Sequence, residues 1–346
     1  MQTSRLITQW QPGRIRYLLY PFLLALFYLS WLTFMTVTGN WTLYHDHWPA
    51  ALTMVLGSFV AGITAEGGGA VAFPIFTKVL HIAATDARTF SLMIQTFGMG
   101  MASIFIMSRR IPFLPRVVTF VSLGGIIGHI IGLFWLPLPS PYPKILFTLV
   151  TSIFGVALAI SRWGLHWPPQ IEFPVWKRQH QVLFVLLGVV GGLFAANVGS
   201  GIDVITFMVL TLAFGINEKV STPTTVIIMG INSLVGFFLH AMVAQDIAQE
   251  TWRYWVVAVP VVVIGAPLGA FVGSKVSRDK IIIFLLALIT LELVTTLWLV
   301  PFSRQTWLIS AVVLVVCALW FIGMLVYRHV FLHNELKSIR TLLSES

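Results

Sequence analysis

Apolar residues in this chain fall in long stretches separated by short polar segments. Nine zones stand out, at about 17–37, 49–82, 87–108, 116–137, 143–161, 181–215, 219–243, 254–273 and 280–300, and a tenth lies at about 306–327. A helix needs roughly 20 apolar residues to cross a ~30 Å hydrocarbon core, so most zones predict one crossing each. Two of them, 49–82 and 181–215, are too long for that. Both are interrupted by small residues, Gly67, Gly68 and Gly69 in the first and Gly199, Ser200 and Gly201 in the second. Glycine costs about 1 kcal/mol against alanine inside a helix, so such clusters predict a break. Each long zone is expected to be a hairpin of two helical arms that returns to its own side, the first restarting at Ala70. Pro168, Pro169 and Pro174 mark 162–180 as a linker.

The order of elements repeats on either side of that linker. A shift of 132 residues lays Gly67–Gly69 on Gly199–Gly201, Asp86 on Glu218 and Gly98 on Gly230. A shift of 137 lays Gly128 on Gly265, Gly132 on Gly269 and Phe147 on Phe284. The chain divides into a cytoplasmic N-terminus with a first helix (1–48), repeat one (49–161), a cytoplasmic linker (162–180), repeat two (181–300), and a last helix with a cytoplasmic tail (301–346).

Charge then orients the repeats. Loop 109–116 carries Arg109, Arg110 and Arg116, while its counterpart 245–253 carries Asp246, Glu250 and one arginine, Arg253. The next pair swaps: 137–143 is uncharged and 274–280 holds Lys275, Arg278 and Lys280. Lysine and arginine accumulate in cytoplasmic loops, so equivalent loops are expected on opposite sides. The predicted fold is an all-α polytopic membrane protein of two inverted repeats, each a glycine-broken helical hairpin plus three transmembrane helices, with one extra helix at each end. Inverted repeats with broken helices are a common transporter plan.

Composition agrees: 58% of the residues are hydrophobic and only 10% charged, against roughly 25% charged in a soluble domain. The net charge of +9 follows from basic loops and does not call for nucleic acid as a partner. Cys317 is the sole cysteine, so an intrachain disulfide is excluded. The first apolar stretch has membrane length and no small-residue cleavage pattern, which predicts a retained helix. The expected setting is a bacterial-type inner membrane, with both termini cytoplasmic.

The candidate chemistry gathers at the two breaks. A helix restarting at membrane depth leaves free N–H groups that suit an anion. The substrate-binding candidates are Gly67, Gly68, Gly69 and Ala70 at the first break and Asn197, Gly199, Ser200 and Gly201 at the second. Gln95 and Asn232, mid-helix polar residues, join them; Thr96 and Ser233 are their neighbours. Acidic residues within spans are costly and are usually functional; the three are Glu66, Asp203 and Glu292. A fixed negative charge would repel an anion, but a protonatable carboxyl would not, so Glu66 and Asp203 are proton-coupling candidates. Glu292 is expected to be a hydrogen-bonded structural group, as are His129 and His240. Asp86 and Asn217 are expected to cap the helices that follow them. No nucleotide-binding motif or metal-ligand spacing is present, so neither cofactor nor metal is expected.

Ala65-Glu66-Gly67-Gly68-Gly69 followed by Phe73-Pro74, with a second glycine-rich motif in the other half, resembles the sulfite exporter TauE/SafE family of membrane permeases. The resemblance spans roughly 49–300. It departs at Ser200, Thr206, Glu66 and Asp203, where the family pattern has glycine, proline and apolar residues. It implies a secondary transporter for export or uptake of sulfite, an organosulfonate or a related sulfur anion, with export the expected direction. The alternatives are an anion channel and an intramembrane hydrolase built on Ser200 and His240.

Overall fold

The computed structural model describes residues 15–64, 75–80, 82–139, 141–164, 169–171, 173, 176–300 and 303–332. Eleven α-helices occupy them: α1 (Ile15–Thr38), α2 (Leu43–Ile63), α3 (Ala84–Ser108), α4 (Pro115–Phe134), α5 (Tyr142–Ala159), α6 (Arg178–Val198), α7 (Ile202–Met208), α8 (Glu218–Phe238), α9 (Gln249–Lys275), α10 (Arg278–Leu299) and α11 (Arg304–Tyr327). Short π-helical turns extend α5, α7, α8 and α11, and another stands alone at Ile75–Val79. Nine of the described helical segments are long and apolar enough to cross a membrane. The sole strand-like feature among the described residues is one bridge between Gln170 and Ile216.

Helix starts and ends differ from the hydropathy zones where polar residues are helical. α2 begins at Leu43 and takes Asp46 and His47 into its first turns; His47 Nε2 meets Glu250 Oε1 at 2.7 Å, at the start of α9. Asn217 caps α8 as expected, its side chain accepting from Lys219 N at 2.9 Å. Asp86 does not cap α3. It sits inside the first turn, and Ala83 holds the cap position. An acid there still complements the positive end of the helix.

Two tight pairings dominate the packing, α2 with α9 and α4 with α6. Glycines permit both. A Cβ on Gly62 would collide with the Ala266 carbonyl, and one on Gly128 with the Val189 carbonyl. Small residues allow backbones this close in lipid, where van der Waals packing replaces a hydrophobic driving force. Each pair runs parallel. His47 lies by Glu250 and Gly62 by Ala266; Gly124 lies by Val185 and Gly132 by Ala196. α3 runs with α9, since Gly98 faces Val262 and Phe105 faces Phe271. α8 opposes α3, with Gly230 against Met99 and Gly236 against Leu92. α5 and α10 are also antiparallel, joined by Thr148–Glu292 at one end and Arg162–Asp279 at the other.

These directions put Arg109, Arg110, Arg116, Arg178, Lys219, Lys275, Arg278 and Lys280 on one face of the molecule, called here the basic face. Asp46, Asp86, Asp246 and Glu250 lie on the opposite face.

α1 attaches to α9 through that helix's prolines. Pro260 and Pro267 cannot donate to the carbonyls four residues back, Val256 and Val263. Trp31 Nε1 donates to the Val256 carbonyl at 2.9 Å and Tyr20 OH to the Val263 carbonyl at 3.2 Å. Backbone groups exposed to lipid must find such partners. At the other end of the chain Arg328, buried, donates to Thr211 O and Ser161 Oγ, both at 3.3 Å.

Candidate functional site

α6 and α7 form a hairpin. Gly191 packs against Ile202 near the turn, and Phe184 lies by Phe214 at the open end. The turn is Gly199-Ser200-Gly201, fully buried. Gly199 has φ 85° and Gly201 φ 126°, conformations that favour glycine. Space makes the same demand: a Cβ on Gly199 would lie 2.7 Å from Arg88 O and 2.8 Å from Ser91 Cβ.

α3 grips this turn. Gly199 O accepts from Ser91 Oγ at 2.9 Å and from Gln95 Nε2 at 2.8 Å. Gln95 Nε2 also donates to Ser91 O at 3.1 Å. Because both partners are carbonyls, the Gln95 nitrogen is fixed in place and Oε1 points elsewhere, buried with no hydrogen-bond partner. Asn232, on α8, behaves alike. Its Nδ2 donates to Ile228 O at 2.8 Å, while Oδ1 abuts Gly125 and has no partner. His129, on α4, meets Gly125 O through Nδ1 at 3.2 Å, so that nitrogen carries the proton. Its Nε2, near Gly236 and without a partner, is then a lone pair.

Asp203 changes what the second break offers. Its Oδ1 accepts from Gly201 N and Val204 N, both at 3.0 Å, and from Ser200 Oγ at 3.5 Å. The amides that the sequence suggested for an anion are therefore engaged by the chain's own carboxyl. Asp203 Oδ2 is buried with no partner. Two unpartnered acceptors belong to residues bonded to this turn, Gln95 Oε1 and Asp203 Oδ2; two more, Asn232 Oδ1 and His129 Nε2, belong to residues that meet Gly125, which also lies beside Ile202 of α7. All four are acceptors unless a proton is added, and unmet acceptors are costly in an apolar interior.

Asn197 is placed differently. Its amide accepts from Leu138 N at 2.6 Å and donates to Leu136 O at 3.2 Å and Leu193 O at 2.9 Å. It ties α6 to the loop between α4 and α5. Glu292 Oε1 accepts from Thr148 at 3.0 Å and Thr296 at 3.1 Å, the structural role expected of it. His240 Nδ1 pairs with Asp246 Oδ1 at 2.7 Å, which ties the end of α8 to the loop that follows it.

The first break, with Glu66, Gly67, Gly68, Gly69 and Ala70, lies outside the described residues. Before it, Thr64 closes α2 with N and Oγ1 both 2.9 Å from Val60 O. After it, the Phe76 ring stacks on Phe90 at 4.3 Å. A narrow crevice opens beside Gly62 and Ile63, lined also by Glu218, Lys219 and Thr222. Glu218, buried there, is held by both Nε and Nη2 of Arg278, the latter at 2.8 Å. The family model for "Sulfite exporter TauE/SafE" matches residues 50–299.

The chain belongs to the sulfite exporter TauE/SafE family. No curated protein and no solved structure matches it. The TauE/SafE match runs from Ala50, in α2, to Leu299, the last residue of α10. TauE/SafE proteins are exporter-type membrane transporters, and this multi-pass helical chain is one of them; α1 and α11 stand outside the matched region.

Two features of this TauE/SafE protein escape a reading of sequence. Arg88 touches the second break across 111 positions of chain (199 minus 88), and Arg278 pairs with Glu218 across 60. Arg278 sits in a basic loop, where it looks like an orientation signal. Arg88 left one faint trace, its spacing of three and seven residues from Ser91 and Gln95 on one helical face.

Proposed function

We propose that the chain is a secondary transporter that exports a small sulfur-containing anion, sulfite or an organosulfonate, across an inner (plasma) membrane. The observation that carries this reading is the buried turn Gly199-Ser200-Gly201, clasped by Ser91 and Gln95 at the tip of a helical hairpin. A broken helix inside a membrane bundle is where transporters place substrate. The anion is bound between the two breaks, beside Gly67, Gly68, Gly69 and Ala70 on one side and the turn Gly199-Ser200-Gly201 on the other. Gln95 and Asn232 line the same space, and Asn197 holds the hairpin in position. Asp203, and Glu66 at the first break, carry the coupled proton. The oxygens of Gln95 and Asn232 then accept from a protonated Asp203 or from a protonated substrate.

In this reading the segments 49–161 and 181–300 are inverted repeats. The pairs α2 and α6, α3 and α8, α4 and α9, and α5 and α10 are equivalents, and the members of each pair run in opposite directions. The lysines and arginines of the basic face support a cytoplasmic position for that face, with both termini and the 162–180 linker on the same side.

Counterflow in proteoliposomes, with a panel of sulfite, alkyl sulfonates, sulfate and carboxylates, tests this function. Saturable exchange of sulfite or a sulfonate is expected. Flux without counterflow points to a channel, and exchange of carboxylates alone overturns the substrate class.

A further inference from the structure

An oxyanion needs hydrogen-bond donors and positive charge. Around the second break Gln95 Oε1, Asn232 Oδ1, Asp203 Oδ2 and His129 Nε2 all present lone pairs, and the hydroxyl of Ser233, beside Asn232 on α8, is an uncharged donor. The backbone amides at Gly201 and Val204 are already bonded to Asp203. A transporter of anions that binds its substrate here therefore requires positive charge from elsewhere.

Arg88 stands next to the turn. Its carbonyl lies 2.7 Å, and its Cα 3.1 Å, from where a Cβ on Gly199 would be. It shares a face of α3 with Ser91 and Gln95, which bond to the Gly199 carbonyl one and two turns deeper. Its Nε is buried and has no hydrogen-bond partner. Among the described residues no carboxylate forms an ion pair with it within 4.0 Å, although two face it. Asp86 lies on its own helix and Asp246 follows α8. Asp246 spends an oxygen on His240 Nδ1, 2.7 Å away. Among the described residues the Arg88 backbone thus abuts the turn, and its partly buried guanidinium, with Nε–H free, lies toward Asp246 and Asp86 on the face opposite the basic one.

We propose that Arg88 is the anion-recognising side chain of this site, binding two oxygens of a sulfite or sulfonate through Nε–H and a terminal N–H. This rests on the anion-transport reading above. The fork of the guanidinium matches an oxyanion with two or more oxygens, and charge-assisted pairs of this kind are the strong ones. Asp86 and Asp246 attract the guanidinium toward their own face of the molecule without occupying its fork. The position implies that Arg88 serves the state open to the face opposite the basic one, the release side of an exporter.

The test uses full-length protein in proteoliposomes with labelled sulfite and, separately, ethanesulfonate. Arg88→Gln is expected to raise the KM for exchange at least about tenfold, the loss of a charge-assisted hydrogen bond. Its thermal midpoint in detergent should not change, and Arg88→Lys should fall between it and the wild type. A glutamine variant with wild-type KM overturns the proposal. Should Arg88→Gln fail to fold, Arg88→Lys decides: it keeps the charge and loses the fork, so unchanged KM for both anions overturns the assignment. Wild-type protein that exchanges no anion of the panel sinks the transport reading itself, an outcome separable from wild-type exchange that ignores Arg88.

Discussion

At the scale of single residues, Asp203 and Gly199 carry the sharpest expectations. Asp203→Asn preserves size and keeps an oxygen for Gly201 N and Val204 N, but it holds no exchangeable proton. Exchange should survive while uptake driven by a pH gradient disappears; a variant that still follows the gradient removes Asp203 as the coupling group. Gly199→Ala must place a side chain at φ 85° and against Arg88 O. The left-handed backbone costs about 1–2 kcal/mol and overpacking roughly 1–3, so a clear drop in thermal midpoint is expected. Gly100 offers the control, since a Cβ there meets nothing within 4 Å, and Gly100→Ala should leave the midpoint unchanged or raised. The intramembrane acid and the glycine pair were legible in the sequence because both are expensive in a helix within lipid. The engagement of Asp203 with its own helix start was not, because only the folded turn brings Gly201 N and Val204 N to one oxygen.

At the scale of elements, α9 shows how one helix creates a need that another meets. Pro260 and Pro267 free two carbonyls, and Trp31 and Tyr20 of α1 bond them. Trp31→Phe keeps the ring packing and removes the donor. A loss of about 1–2 kcal/mol is expected, read as a lower melting midpoint in detergent. Trp48→Phe, at a tryptophan 54% exposed, should not move it. Equal shifts in both variants would mean that the indole N–H contributes nothing. Hydropathy found the middle of each helix and missed the ends. α2 and α9 begin earlier than their apolar zones because His47 and Glu250 satisfy each other across the pair. A window of averaged hydropathy discards such residues as loop.

At the scale of the whole molecule, topology is the claim to test. In a Cys317→Ser background, single cysteines at Pro112 and Ala248 should label from opposite sides, the first from the cytoplasm. Labelling from one side defeats the inverted arrangement. Glycine ladders in both halves were visible in the sequence; the faces they pack on were not. Gly128 meets the Val189 carbonyl as Gly269 meets that of Phe59, and Gly124 lies against Val185 and Val189 as Gly265 does against Ser58 and Phe59. A ladder of glycines four residues apart matches itself after a slip of one turn. Only the partner helix fixes which rung is which.

The pairing of α2 with α9 and of α4 with α6 has a consequence for synthesis. Each first helix of a half docks on the other half, so neither half is a finished body when it leaves the ribosome. α2 ends at Ile63 and its partner α9 ends at Lys275. At ~5–20 residues per second, the Gly62 face waits about 10–40 s for the surface that covers it. During that interval the nascent chain depends on insertion machinery or lipid to shield a backbone groove. A chain stopped after 161 should be degraded when made alone and rescued when 162–346 is supplied as a second polypeptide, because the missing surface is then available in trans.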